Sequence, residues 1–257
     1  MTSPYELAYP ASGPAALPAP VARASVPQPW GFWGTLGWLL LAATAGLMAS
    51  LGVVIVELIV KAALPNVNDG GFAAVASLAA TLALLKVFGL AIRARGWRVR
   101  DYLALTTPRL RDILLGISCI ALLLVALTVT QRMFDLDDGS ESVEKTYEAA
   151  RLAGMLPLLW IAVVIFAPVA EELVFRGFLH RGWAVSRLGA SGTVVLTSLL
   201  WALLHQQYTW LGIVYIFCVG LTLGWLRERS GSTTTTIALH ALTNLSVMIQ
   251  LAAGLRI

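Results

Sequence analysis

Two adjacent carboxylates, Glu171 and Glu172, stand in an otherwise apolar run that ends at Arg176. Side by side they repel each other, and apolar surroundings strip both of water, so each needs a partner or a task. Helical geometry treats them differently. Glu172 and Arg176 are four residues apart and about 40° apart around a helix, so they can pair. Glu171 lies about 140° from Arg176 and cannot easily share that partner. One carboxylate is then neutralised and the other is free, and a free, partly desolvated carboxylate is what a general base requires. The plainer alternative is a structural ion pair with a spare Glu facing a water cavity.

Two histidines and an amide extend the set. His205 ends the run Leu199-Leu200-Trp201-Ala202-Leu203-Leu204-His205, and His240 and Asn244 sit at i and i+4 in the last apolar segment. A lone interfacial His is as often structural as chemical. Two polar groups on one stripe of an apolar helix are harder to dismiss. At a rise of about 1.5 Å per residue, Glu171 is roughly 15 Å from the boundary at Arg181, and His240 and Asn244 are about 12 and 18 Å from Ser232. His205 is roughly 21 Å from Ser191. All four fall in one layer on three helices, and they can converge.

The elements that must position them are membrane spans. Of 257 residues, 58% are hydrophobic and 12% charged, against about 25% charged in soluble proteins. About seven apolar runs are expected to span, at 32–60, 72–92, 110–131, 155–180, 190–208, 210–226 and 232–254, or eight if the first is two pieces, giving an all-α polytopic bundle. So many spans in one short chain leave no surface to cover them in water. Residues 1–29 are Pro- and Ala-rich, lack a signal-peptide pattern and are expected to form a disordered tail. Residues 30–154 are expected to form N-terminal transmembrane helices, and 155–257 the catalytic ones.

Basic residues collect on alternate connections. One side holds Arg93, Arg95, Arg98, Arg100, Arg109, Arg111, Arg181, Arg187, Arg227 and Arg229, with Arg23 in the tail; the other holds Arg132, Lys145, Arg151 and Arg256. The asymmetry predicts that the tail and the basic turns are cytoplasmic, and the Ala-, Leu- and Arg-rich composition with few Lys favours the plasma membrane. It also accounts for the net charge of +4 by orientation and anionic lipid, with no nucleic-acid partner. Glu57 and Lys61 neutralise each other on one helix face, and Lys86 can snorkel. Cys119 and Cys218 lie in apolar runs without metal-ligand spacing.

Glu171-Glu172-x-x-x-Arg176, Trp201-x-x-x-His205 and His240-x-x-x-Asn244 resemble, in order and spacing, the three motifs of the CPBP family, which comprises type II CAAX prenyl endopeptidases and the bacterial Abi and bacteriocin-processing proteins. The resemblance covers about residues 155–250. One departure stands out: the family pattern has Phe where this chain has Trp201. The resemblance implies a helical intramembrane protease in which Glu171 and His205 activate water. It further implies that His240 and Asn244 stabilise the oxyanion, while Glu172 and Arg176 hold the helix and tune the base. The partner is then a membrane-anchored protein or peptide within the lipid bilayer. Zinc is the one candidate cofactor, with Glu171, His205 and His240 as its ligands; a metal-free, glutamate-dependent site is the preferred expectation.

Two rivals are weighed. Gly189-Ala190-Ser191-Gly192 matches the Gly-x-Ser-Gly of rhomboid serine proteases, but Ser191 opens its helix at the cytoplasmic boundary and reads as a helix start. A membrane scaffold, immunity factor or transporter would keep the same fold without hydrolysis, though no internal repeat supports a transporter.

Overall fold

In the computed structural model the described residues are 27–64, 70–136 and 141–254. The Pro- and Ala-rich tail therefore lies outside them as far as residue 26, as do Asp137, Asp138 and Arg256. Among the described residues all regular structure is helical. In chain order the helices are α1 (Gly31–Ala63), α2 (Gly70–Ala94), the short α3 (Val99–Tyr102), α4 (Leu110–Phe134), α5 (Glu141–Leu152), α6 (Leu156–Ala184), α7 (Gly189–Leu203), α8 (Trp210–Ser230) and α9 (Thr233–Ala252).

Six of these, α1, α2, α4, α6, α8 and α9, are long and apolar enough to cross a membrane. Their outward faces carry unpaired aliphatics such as Leu58, 62% exposed, and Leu122, 70% exposed, a sheath suited to lipid and not to water. The expected fifth span differs from its expectation of 190–208. It ends at Leu203, and 15 residues rise only about 22 Å, short of a hydrocarbon core of about 30 Å. The chain then turns through Leu204–Thr209 before α8. The acidic third connection also carries structure: α5 is amphipathic, with Lys145 on Glu141 at 2.7 Å, Arg151 on Glu148 at 2.8 Å, and Tyr147 turned inward.

Small residues set the helix contacts. The α1–α2 hairpin closes where Gly46 meets the Ala80 backbone and Ser50 donates to the Ala76 carbonyl at 3.1 Å. On α8, Gly220 and Gly224 lie one turn apart against Ser198 and Val194 of α7; an added Cβ at Gly224 would stand 2.8 Å from Val194 Cγ1. Gly116 of α4 lies under Leu239 and Leu226. Without water between helices, backbone approach of this kind supplies the packing energy.

The tightest core lies toward the basic turns. Phe178 stacks on Phe88 with centroids 4.1 Å apart, Trp183 stacks on Phe32 at 5.4 Å, and Gly182 abuts Thr35, so the α1–α2 hairpin is fastened to the C-terminal half of α6. Trp183 is fully buried. Ser232 caps α9, accepting from the Thr235 N–H at 3.2 Å and donating to the Thr106 carbonyl at 2.9 Å. Arg229 and Arg111 flank the buried Asp112 at 3.5 and 3.8 Å, so part of the basic charge is matched within the fold.

Candidate active site

α6 carries two of the candidate groups and is not a uniform helix. It widens to π turns at Ala162–Phe166 and Leu173–Leu179. Pro168 explains the first: it has no N–H for the Val164 carbonyl and its ring crowds that carbonyl, so the preceding turn opens. Wide turns expose backbone carbonyls, and both are used. Asn244 Nδ2 donates to the Val163 carbonyl at 2.9 Å, and Arg227 Nε donates to the Arg176 carbonyl at 3.0 Å. The Asn244 and Arg227 side chains thus stitch α9 and α8 onto α6 where it is weakest.

Between the π turns, Glu171 and Glu172 point to different neighbours. Glu172 is fully buried; its Oε1 accepts from Arg176 Nη1 at 2.8 Å and lies 3.1 Å from His240 Nδ1. Arg176, equally buried, also donates from Nη2 to the Gly220 carbonyl at 3.1 Å. Glu171 is half-buried and joins neither: its Oε2 accepts from the indole Nε1–H of Trp201 at 2.6 Å.

Trp201, 4% exposed near the end of α7, is where the other groups meet. The Arg176 guanidinium lies over its ring at 4.8 Å, and the imidazoles of His205 and His240 stand edge-on to it at 5.1 and 5.2 Å. His205 lies just past the helix end, its Nδ1 2.9 Å from the Trp201 carbonyl. A carbonyl only accepts, so this contact assigns the proton to Nδ1 and leaves Nε2 as an acceptor. Against Glu172 the same reasoning puts a proton on Nδ1 of His240. Glu171, His205 and His240 therefore gather around one indole. Asn244 is one turn along α9 from His240, with one amide N–H on Val163 and a second to offer.

Among the described residues no three His, Cys, Asp or Glu side chains are grouped to hold one ion. The reason is visible in the contacts: the Trp201 ring packs against both imidazoles and its N–H takes one oxygen of Glu171. Nor does Ser191 approach the histidines. It is exposed in the first turn of α7, whereas Trp201 and His205 lie at the opposite end of that helix. Ser191→Ala should leave any cleavage rate unchanged in a purified-protein assay, and a loss of cleavage would restore the serine reading.

One participant escaped the sequence reading. The Trp201 N–H was visible only as an aromatic standing in for Phe. His180 packs at the basic end, its Nε2 2.8 Å from Glu228 Oε1, and is not among the groups around Trp201. In the family comparison, residues 153–246 match the model described as type II CAAX prenyl endopeptidase Rce1-like. Neither curated proteins nor solved structures gave a match to the chain. All six candidate side chains fall inside the matched segment, so this part of a multi-pass membrane chain is similar to the Rce1-like type II CAAX prenyl endopeptidases.

Proposed function

We propose that the protein is an intramembrane endopeptidase that hydrolyses a peptide bond of a membrane-associated polypeptide with water activated by Glu171. The observation that carries this reading is the division of labour between adjacent carboxylates: Glu172 is held by Arg176 and His240, while Glu171 keeps one oxygen out of any pairing with Arg176. Glu171 Oε1 takes a proton from water as the water oxygen attacks the carbonyl carbon. His205 Nε2, acceptor by its tautomer, orients the second water hydrogen. Charge develops on the carbonyl oxygen, and His240, when protonated with Glu172 as its counter-ion, donates from Nε2 beside the remaining Asn244 N–H. Glu171 returns its proton to the leaving nitrogen, the C–N bond breaks, and the second water proton passes from the new carboxyl group to the amine, leaving a carboxylate and an ammonium. No step passes through a metal.

The substrate follows from depth. A bond that reaches Glu171 belongs to a polypeptide anchored in or at the bilayer, and residues 155–257 supply the chemistry while 30–154 brace them. α6 is closely packed from Phe175 to Trp183 but open from Pro157 to Phe166, so we place the entrance away from the basic turns, on the extracytoplasmic side if those turns face the cytoplasm.

One experiment tests both statements. Membrane proteomes of cells carrying the wild type and Glu171→Ala, each with and without a zinc chelator, should differ in new termini that appear only with the wild type and survive chelation. The termini should map to extracytoplasmic, membrane-proximal residues; cytoplasmic termini would reverse the orientation and spare the protease. Identical proteomes, or proton flux in liposomes abolished by Glu171→Gln without cleavage, would replace the protease by a transporter or scaffold.

A further inference from the structure

We infer that Trp201 is a positioning residue for Glu171, its indole N–H fixing which carboxylate oxygen faces the water. The inference rests on the proteolytic reading above and adds to it a residue with no counterpart donor in the family pattern, where Phe occupies this place.

The geometry makes the indole a rigid reference. Its plane is covered by the Arg176 guanidinium at 4.8 Å, and its edges are met by His205 and His240 at interplanar angles of 73° and 79°. The ring is almost wholly buried, so its N–H must find an acceptor or bear the cost of a desolvated donor. The acceptor is Glu171 Oε2, at 2.6 Å the shortest side-chain contact in the cluster, as suits a charged acceptor. Glu171 is only half-buried and, without this bond, is free to turn toward solvent or toward Arg176. With Oε2 held, Oε1 alone is left for water. The same residue sends its carbonyl to His205 Nδ1, so Trp201 sets the base through its side chain and the water-orienting imidazole through its backbone. A Phe in this place keeps the ring contacts and loses the donor. What distinguishes positioning from packing is therefore the N–H alone.

The test replaces that N–H and little else. β-(3-benzothienyl)alanine is nearly isosteric with Trp and carries sulfur where indole carries N–H; incorporated at position 201 it preserves the packing and removes the donor. Protein in detergent micelles is assayed on the best-cleaved member of a pool of quenched-fluorescent peptides bearing a lipid anchor or a transmembrane segment. We expect kcat to fall about 10- to 100-fold with KM unchanged, for the isostere and for Trp201→Phe alike, and thermal unfolding of the isostere to match the wild type. Wild-type turnover by the isostere overturns the inference and leaves Trp201 a packing residue. A second readout needs no activity. The ¹⁵N-indole resonance that disappears in Trp201→Phe should move in Glu171→Ala, and an unmoved resonance also overturns the inference. If that resonance moves but Glu171→Gln cleaves as the wild type does, the bond exists and the base role of Glu171 in the reading above is what fails.

Discussion

Glu171→Gln is expected to lower peptide cleavage by about 10²–10⁴-fold, the range spanned by loss of a positioned general base, while the protein melts as the wild type does. The second half of that statement follows from the contacts. A Gln side-chain carbonyl still accepts the Trp201 N–H that Glu171 Oε2 accepts now, so the carbon frame and its hydrogen bond persist. Only the capacity to take a proton is lost. Purified protein assayed on an anchored fluorogenic peptide, with melting followed in parallel, separates the two. Residual cleavage within a few-fold of wild type would remove Glu171 from the base role whatever the melting curve does.

Arg176 has the largest expected effect on stability. It is fully buried, pairs with Glu172 at 2.8 Å, donates to the Gly220 carbonyl at 3.1 Å and covers the Trp201 ring at 4.8 Å. Removing one partner of a buried pair leaves the other charge uncompensated, at a cost of about 3–5 kcal/mol. Arg176→Met should therefore lower the unfolding temperature in micelles markedly. Arg176→Lys should recover part of the loss, because an ammonium replaces the charge but cannot reproduce a planar fork on Glu172 and Gly220 at once. Glu172→Gln combined with Arg176→Met should melt above Arg176→Met alone, since no buried charge is then orphaned. If Arg176→Met melts with the wild type, the pair is not structural and Glu172 must be reconsidered as a second base.

How far the sequence could lead depended on the range of each interaction. The Glu172–Arg176 pair was legible because four residues along a helix is a local spacing, and the same rule separated Glu171 from Arg176. The spans were legible because hydrocarbon admits few charges. What escaped depends on other elements. Pro168 marks a helix irregularity in the sequence, but two π turns, each holding a carbonyl for a side chain on another helix, are a tertiary fact. The early end of α7 at Leu203 escaped because Leu204 is as apolar as its neighbours. His240 was expected to face the reacting bond. Its Nδ1 is instead turned to Glu172 on a different helix, which leaves Nε2 as the ring nitrogen for that bond. Glu171, His205 and His240 meet through the Trp201 indole, a contact no local spacing could show, and among the described residues no three His, Cys, Asp or Glu side chains are grouped to hold one ion.

Membrane packing also explains which half of the fold is dense. From Phe175 to Trp183 α6 meets α1, α2, α8 and the turn before α4, with Gly177 and Gly182 admitting Leu103 and Thr35. From Pro157 to Phe166 the same helix has open flanks. Glu171 lies at the boundary between the two regimes.

Hydrolysis itself can be read in atoms. Wild-type protein in nanodiscs, incubated with a cleavable anchored peptide in H₂¹⁸O, should yield two fragments, the N-terminal one gaining a single ¹⁸O in its new carboxyl group, with Glu171→Gln yielding neither. Intact peptide after prolonged incubation with every member of the peptide pool, or equal labelled product from Glu171→Gln, would contradict a water-activating carboxylate at position 171.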